Sequence, residues 1–175
     1  MENFPEELKA YFSSGDALSR AQLLQTHPQL QETLNSPALV TELLQWLSTN
    51  EPWDEANLSL TINVLSFLRA HARESDASTV KPFLLHPNAL VRLRVYEYLL
   101  TLYFPDRNRE ALFLLLQGML SDQDEQVRAE AASYIQRSDA VEYLRGFLER
   151  WIKTAADSGR GNTESFELIE RLLRK

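Results

Sequence analysis

Three arginines carry the side chains best equipped for chemistry. Arg92 and Arg128 stand 36 residues apart, each directly after a valine, and Arg94 follows the first at two residues. A guanidinium presents five N–H donors in a fixed plane and grips carboxylates or phosphates in pairs, so a repeated arginine position predicts a strip for an acidic peptide or, with less support, nucleic acid. The plainer reading, which is preferred, pairs each arginine with a turn acid such as Asp122 or Asp124 and lays its stem over apolar surface. Trp46 and Trp53 bracket the connector Leu-Ser-Thr-Asn-Glu-Pro. Because tryptophan buries a large area and keeps an N–H handle, both are candidates for a partner surface as well as for the core.

Other chemistry-bearing residues do not assemble into a reaction centre. His27 and His86 precede prolines, His71 lies near a helix end, and no His-Glu-x-x-His or other paired His-Glu pattern joins them, so turn or surface roles are expected and no metal. Glu6-Glu7 and Asp124-Glu125 fall at helix starts, where carboxylates complement the positive end of the helix dipole. Serines are plentiful, yet none lies in a Gly-x-Ser-x-Gly elbow beside an identifiable base. The glycines of Asp157–Asn162 lack the Lys-Ser/Thr and the strand of a phosphate loop, and read as a flexible loop. The sequence therefore predicts no enzyme and no cofactor.

Composition sets the frame in which these residues are held. The chain has 175 residues, 44% hydrophobic and 25% charged, with five glycines and seven prolines, which suits a helical protein better than a loop-rich β fold. Its net charge of −7 disfavours nucleic acid as a partner. That charge is uneven: residues 1–60 hold nine acids against Lys9 and Arg20, while acids and bases cancel over 61–175. The absence of cysteine, of a basic and apolar leader and of any membrane-length apolar run predicts a cytoplasmic protein that does not enter membranes.

Apolar spacing and punctuation predict helices over 5–13, 16–26, 28–34, 37–49, 54–72, 76–85, 88–104, 107–120, 124–137, 139–156 and 164–174, and no strand. Asp122 with Glu125, Asp139 with Glu142, and Ser36-Pro37 are read as helix starts. Proline after His27, Glu51, His86 and Phe104 should push those residues out of helical geometry. In the helix after His86-Pro87, Val91, Val95, Tyr98, Leu99 and Leu102 form one apolar stripe, and Leu93, Tyr96, Leu100 and Tyr103 a second. A helix resting on one neighbour needs one stripe, so two imply an interior helix. The helix over 54–72 repeats this through Leu58, Ile62 and Leu65 and through Leu60, Val64, Phe67 and His71.

Self-comparison finds a repeat. At an offset of 36 residues Leu84 meets Leu120, Val91-Arg92 meets Val127-Arg128, Tyr98 meets Tyr134 and Leu99 meets Ile135. The shared layout is a helix ending in leucines, a short polar turn and a helix opening Val-Arg. In the later copy the second stripe shrinks to Ala129 and Ala132, small enough for close helix approach.

The segments FLLHPNALVRLRVYEYLL and GMLSDQDEQVRAEAASYI resemble the HEAT-repeat family, related to armadillo-type folds. The resemblance implies an all-α, right-handed α-solenoid of stacked antiparallel helical hairpins forming one domain over 1–175. Residues 1–50 would be an irregular acidic cap, 51–157 the repeats, and 158–175 a loop with a capping helix whose apolar face is Phe166, Ile169, Leu172 and Leu173. In such arrays the second helices line the concave face. The resemblance thus implies a non-enzymatic adaptor that binds another protein or peptide, with Arg92, Arg94, Arg128, Trp46 and Trp53 as candidate contacts. Two alternatives follow from the same family: a nucleic-acid binder or DNA glycosylase-type enzyme, and an accessory subunit of a bilin-lyase-type modifying enzyme.

Overall fold

The computed structural model describes residues 5–106, 108–137, 140–158 and 163–174. Among these residues the chain is all-helical, with no strand. The α-helices are α1 (Glu6–Ser13), α2 (Ala17–Thr26), α3 (Gln29–Leu34), α4 (Pro37–Leu47), α5 (Leu58–Arg69), α6 (Ala77–Val80), α7 (Ala89–Asp106), α8 (Arg109–Ser121), α9 (Glu125–Arg137), α10 (Ala140–Ser158) and α11 (Thr163–Leu173). None of the described helices is long and apolar enough to cross a membrane. The chain divides into two compact units, Met1–Thr101 and Leu102–Lys175.

Local chemistry explains most boundaries. Asp16 caps α2 by accepting the Ser19 N–H at 2.8 Å, and Ser36 caps α4 by accepting the Ala38 N–H at 3.3 Å, with Pro37 placed where its missing N–H costs no helical bond. The Ser19 hydroxyl and backbone bonds hold the Asp16 carboxyl below its ordinary pKa. Three expectations change. Residues 51–53, 55–57 and 81–85 form 3-10 turns, so α5 starts only at Leu58 and the chain after α6 does not continue as α-helix. Glu51 accordingly stays in helical-type geometry, as does Phe104, since α7 runs through Pro105 into its last turn. Asp139 and residues 159–162 lie outside the described residues.

In the first unit α1 and α4 pack on α5, and α2 and α6 add to α1 and α4. Leu60, Val64, Leu65 and Leu68 of α5 are fully enclosed, against a half-buried Leu58, Ile62 and Phe67 and an exposed His71. Phe12 of α1 meets Phe67 edge-on at 5.6 Å. Beside it Asn63 ties the end of α1 to α5: its amide donates to the Phe12 carbonyl at 2.7 Å and the Ser14 carbonyl at 3.2 Å, and its oxygen accepts from Arg20 at 2.7 Å. Both predicted stripes of α7 are covered: Val91, Val95 and Leu99 are completely buried, and so nearly are Leu93 and Tyr96. Tyr98 donates its hydroxyl to the Arg73 carbonyl and accepts the Arg73 N–H, and burial raises its pKa.

The second unit is built from α8 against α9, with α10 and α11 against each other and against α9. Asn108 caps α8 through the Ala111 N–H at 2.9 Å. Leu115, Leu116, Val127, Ala131, Ile135, Leu148 and Ile169 supply its enclosed core. Burying each large aliphatic side chain contributes about 1.5–3 kcal/mol. Of the two small residues expected to admit a close neighbour, Ala132 is buried and Ala129 exposed. On α11 the covered face includes Leu168 as well as Ile169 and Leu172, and Trp151 of α10 meets Phe166 at 5.5 Å.

Candidate functional site: the Trp53 platform and the two arginine turns

Two turns, one in each unit, share a construction. His86 ends the first helical segment at φ −63° and ψ 137°, and Asp122 ends α8 at φ −63° and ψ 140°. Each side chain accepts the N–H two residues on: His86 Nδ1 from Asn88 at 3.0 Å, Asp122 Oδ1 from Asp124 at 2.9 Å. The next polar residue then starts the following helix, Asn88 accepting the Leu90 N–H at 2.9 Å and Asp124 the Val127 N–H at 3.1 Å. The arginine six positions after the turn's first residue finishes it. Arg92 Nη1 donates to the His86 carbonyl at 2.8 Å and the Pro87 carbonyl at 2.9 Å, and Arg128 Nη1 donates to the Asp122 carbonyl at 2.6 Å.

This places the candidate arginines. Arg92 is 4% exposed. Arg128 is half-buried, with its Nε shielded from solvent. In the bonds above each guanidinium meets turn carbonyls, whose lone pairs a buried cation satisfies well. Arg94 points elsewhere and donates to both Glu97 carboxylate oxygens at 2.8 Å, and Arg69 meets the same carboxylate at 3.2 Å. Each of the three arginines therefore holds a position in its own unit's fold.

The tryptophans separate. Trp46 is 5% exposed, and its indole N–H points at Glu51 Oε2 at 3.4 Å. Trp53 is 39% exposed. Its indole lies near-parallel to Phe83 (centroids 5.0 Å, 14°) and to His86 (5.2 Å, 27°), and those two rings are 6.4 Å from each other. Phe83 and His86 therefore both pack against the indole, and the uncovered part of the ring supplies its exposure. The segment beneath is fixed: Pro52 is buried, the Thr61 hydroxyl donates to its carbonyl at 3.0 Å, and the Asn57 amide donates to the Glu51 carbonyl at 3.0 Å. Leu85, 85% exposed, adjoins His86 in the chain, and Leu90, 47% exposed, is bonded through its N–H to Asn88.

His86 is 4% exposed. Burial lowers its pKa below the ordinary histidine value, and the Arg92 guanidinium acts in the same sense. Because a backbone N–H points at Nδ1, that nitrogen carries the lone pair and the ring is neutral. Phe83, His86, Asn88 and Asn63 escaped the sequence reading as site and tie residues. For His86 a signal existed, since it occupies the position of Asp122 at the offset of 36 residues.

Among the described residues no group of three or more His, Asp or Glu side chains is placed to hold a metal ion. The open hollow of about 530 Å³ between α1 and α2 is lined by Ser13, Ser14, Asp16, Ser19 and their neighbours, and Asp16 in it is already bonded to Ser19. No family model, curated protein or solved structure matches the chain.

Proposed function

We propose that this chain is a non-enzymatic protein-binding module, built as stacked helical hairpins of the HEAT-like kind, and that it receives its partner at Trp53. The observation that carries the reading is the partly exposed indole of Trp53, packed on Phe83 and His86 with Leu85 and Leu90 exposed beside the same turn. Rigid, partly exposed aromatics make large contacts at low entropic cost and dominate the energetics of protein interfaces. An arginine strip supports the reading less, since Arg92 and Arg128 are bonded to turn carbonyls and Arg94 to Glu97. The matching turns at residues 86–92 and 122–128 support the repeat architecture.

The test is affinity capture from cell extract with the full chain and with Trp53→Ala. A specific protein retained by the parent chain and by Arg94→Ala, and depleted at least about tenfold by Trp53→Ala, is expected, since central aromatic anchors contribute about 2 kcal/mol or more. Equal recovery on Trp53→Ala with unchanged helicity would overturn the assignment of the surface.

A further inference from the structure

His86 is buried, titratable and stacked against Trp53, the more exposed of the two candidate tryptophans. Resting on the reading of Trp53 as the binding platform, we propose that His86 is a proton-operated catch: the neutral ring holds the platform closed, and the imidazolium releases it.

The geometry gives the reason. In the neutral ring, the Nδ1 lone pair takes the Asn88 N–H, and the ring lies flat against the indole. A proton arriving at Nδ1 occupies that lone pair, so the Asn88 N–H loses its acceptor and the first turn of α7 loses its tie. Three elements surround the ring, and their charged residues are Glu51, Asp54 and Glu55 beside Trp53, Lys81 beside Phe83, and Arg92, Arg94, Glu97 and Asp106 on α7. Arg92, whose guanidinium holds the His86 carbonyl, bears on the ring's charge and opposes a second cation. Glu51 is directed to the Trp46 indole, Asp54 is exposed, and Arg94 is bonded to Glu97.

The attraction of a cation to the indole face favours the charged ring in place. Against it stand the burial of charge and the Arg92 guanidinium. The loss of the Nδ1 acceptor, which only an unprotonated nitrogen supplies to the Asn88 N–H, decides for release. The second unit supplies the internal contrast: Asp122 fills the same position with a carboxyl oxygen, which accepts the Asp124 N–H in place of a ring nitrogen.

The experiment uses the full chain labelled with fluorotryptophan and followed by fluorine NMR from about pH 8 to about pH 5, the window of histidine titration. The Trp53 resonance is assigned by its loss in Trp53→Phe. It should move with a single midpoint below about 6.5, the ordinary histidine pKa, while the Trp151 resonance does not follow that midpoint. In His86→Asn, whose amide oxygen can accept the Asn88 N–H, the movement should vanish. An unmoved Trp53 resonance in the parent chain, a titration that survives His86→Asn, or a Trp151 resonance with the same midpoint would each overturn the catch. Nitrogen NMR of the parent chain gives an independent reading should His86→Asn not fold. The His86 ring must then show an unprotonated Nδ1 at the alkaline end and a midpoint equal to that of Trp53, and any mismatch counts against the proposal. No partner is present in these measurements. A failed catch therefore leaves the binding reading standing, and a capture indifferent to Trp53→Ala removes the binding reading while leaving the titration intact.

Discussion

The turn before α7 and the turn before α9 have nearly the same backbone and the same arginine closure, yet they differ in what fills the acceptor position and in what covers it. In the second unit Asp122 and Asp124 form a turn of carboxylates, half-exposed and closed by a half-buried arginine. In the first unit the acceptor is an imidazole, the arginine is sealed in, and an aromatic pair, Trp53 and Phe83, packs around the ring. A backbone motif can thus be conserved inside one chain while its surroundings convert a plain connector into a presented surface. Depth is the variable that separates them, because the same bond is worth more where water cannot replace it.

The largest expected effect tests depth directly. Arg92→Ala strips the His86 and Pro87 carbonyls of a buried donor and should cost about 3 kcal/mol of stability, against about 1.5 kcal/mol for Arg128→Ala at the shallower site. Denaturant midpoints of the two variants measure the difference. Equal losses would break the comparison.

Exchanging the acceptors comes next. The folded state lowers the His86 pKa, so it binds the proton less readily than the unfolded chain; this contribution to stability is complete above about pH 6.5 and is lost as pH falls through the folded value. His86→Asp should remove that decline between about pH 7 and about pH 5, the histidine range. Asp122→His should bring a weaker decline to the second unit, where the site is less enclosed. Thermal unfolding across pH reads both.

The smallest effect concerns the caps. Asn88→Ala and Asp124→Ala should each cost about 1 kcal/mol, the usual worth of a side chain that satisfies a helix's free N–H groups. If Asn88→Ala costs several times more than Asp124→Ala in the same unfolding assay, the bond to Leu90 is coupled to the ring stack above it.

How much of this was legible depends on how far apart in sequence the interacting groups stand. Ser36 and Asp124 announce helix starts because a cap needs only its own next few residues, whereas Asp122, read with Glu125 as a start, ends α8 and accepts the Asp124 N–H. The prolines at 52, 82 and 105 were harder. Each has the same local chemistry, but whether the chain answers with a 3-10 turn or carries on as helix is settled by packing, as the buried Pro52 and the long α7 show. The repeat is visible through Val91-Arg92 and Val127-Arg128, although the carbonyl bonds these arginines make are not, because a backbone carbonyl belongs to every residue and no sequence pattern marks it. His86 is legible as a turn residue from its place before proline and its alignment with Asp122, but nothing in the sequence marks its burial or its ring stack. Trp53 could be named as a candidate, but its ring neighbours Phe83 and His86 lie 30 and 33 positions along the chain, and only the folded first unit brings the rings together.

Asn63 has a further consequence for the order of assembly. The arginine turns close through bonds spanning six residues or fewer, so they can form almost as soon as their helices do. The Asn63 amide joins groups 43 to 51 residues away, and closing so long a loop is entropically slow and is rewarded only once α5 exists. The helix α1, held to α5 through these long-range bonds, should therefore exchange its amides with solvent deuterium before those of α5.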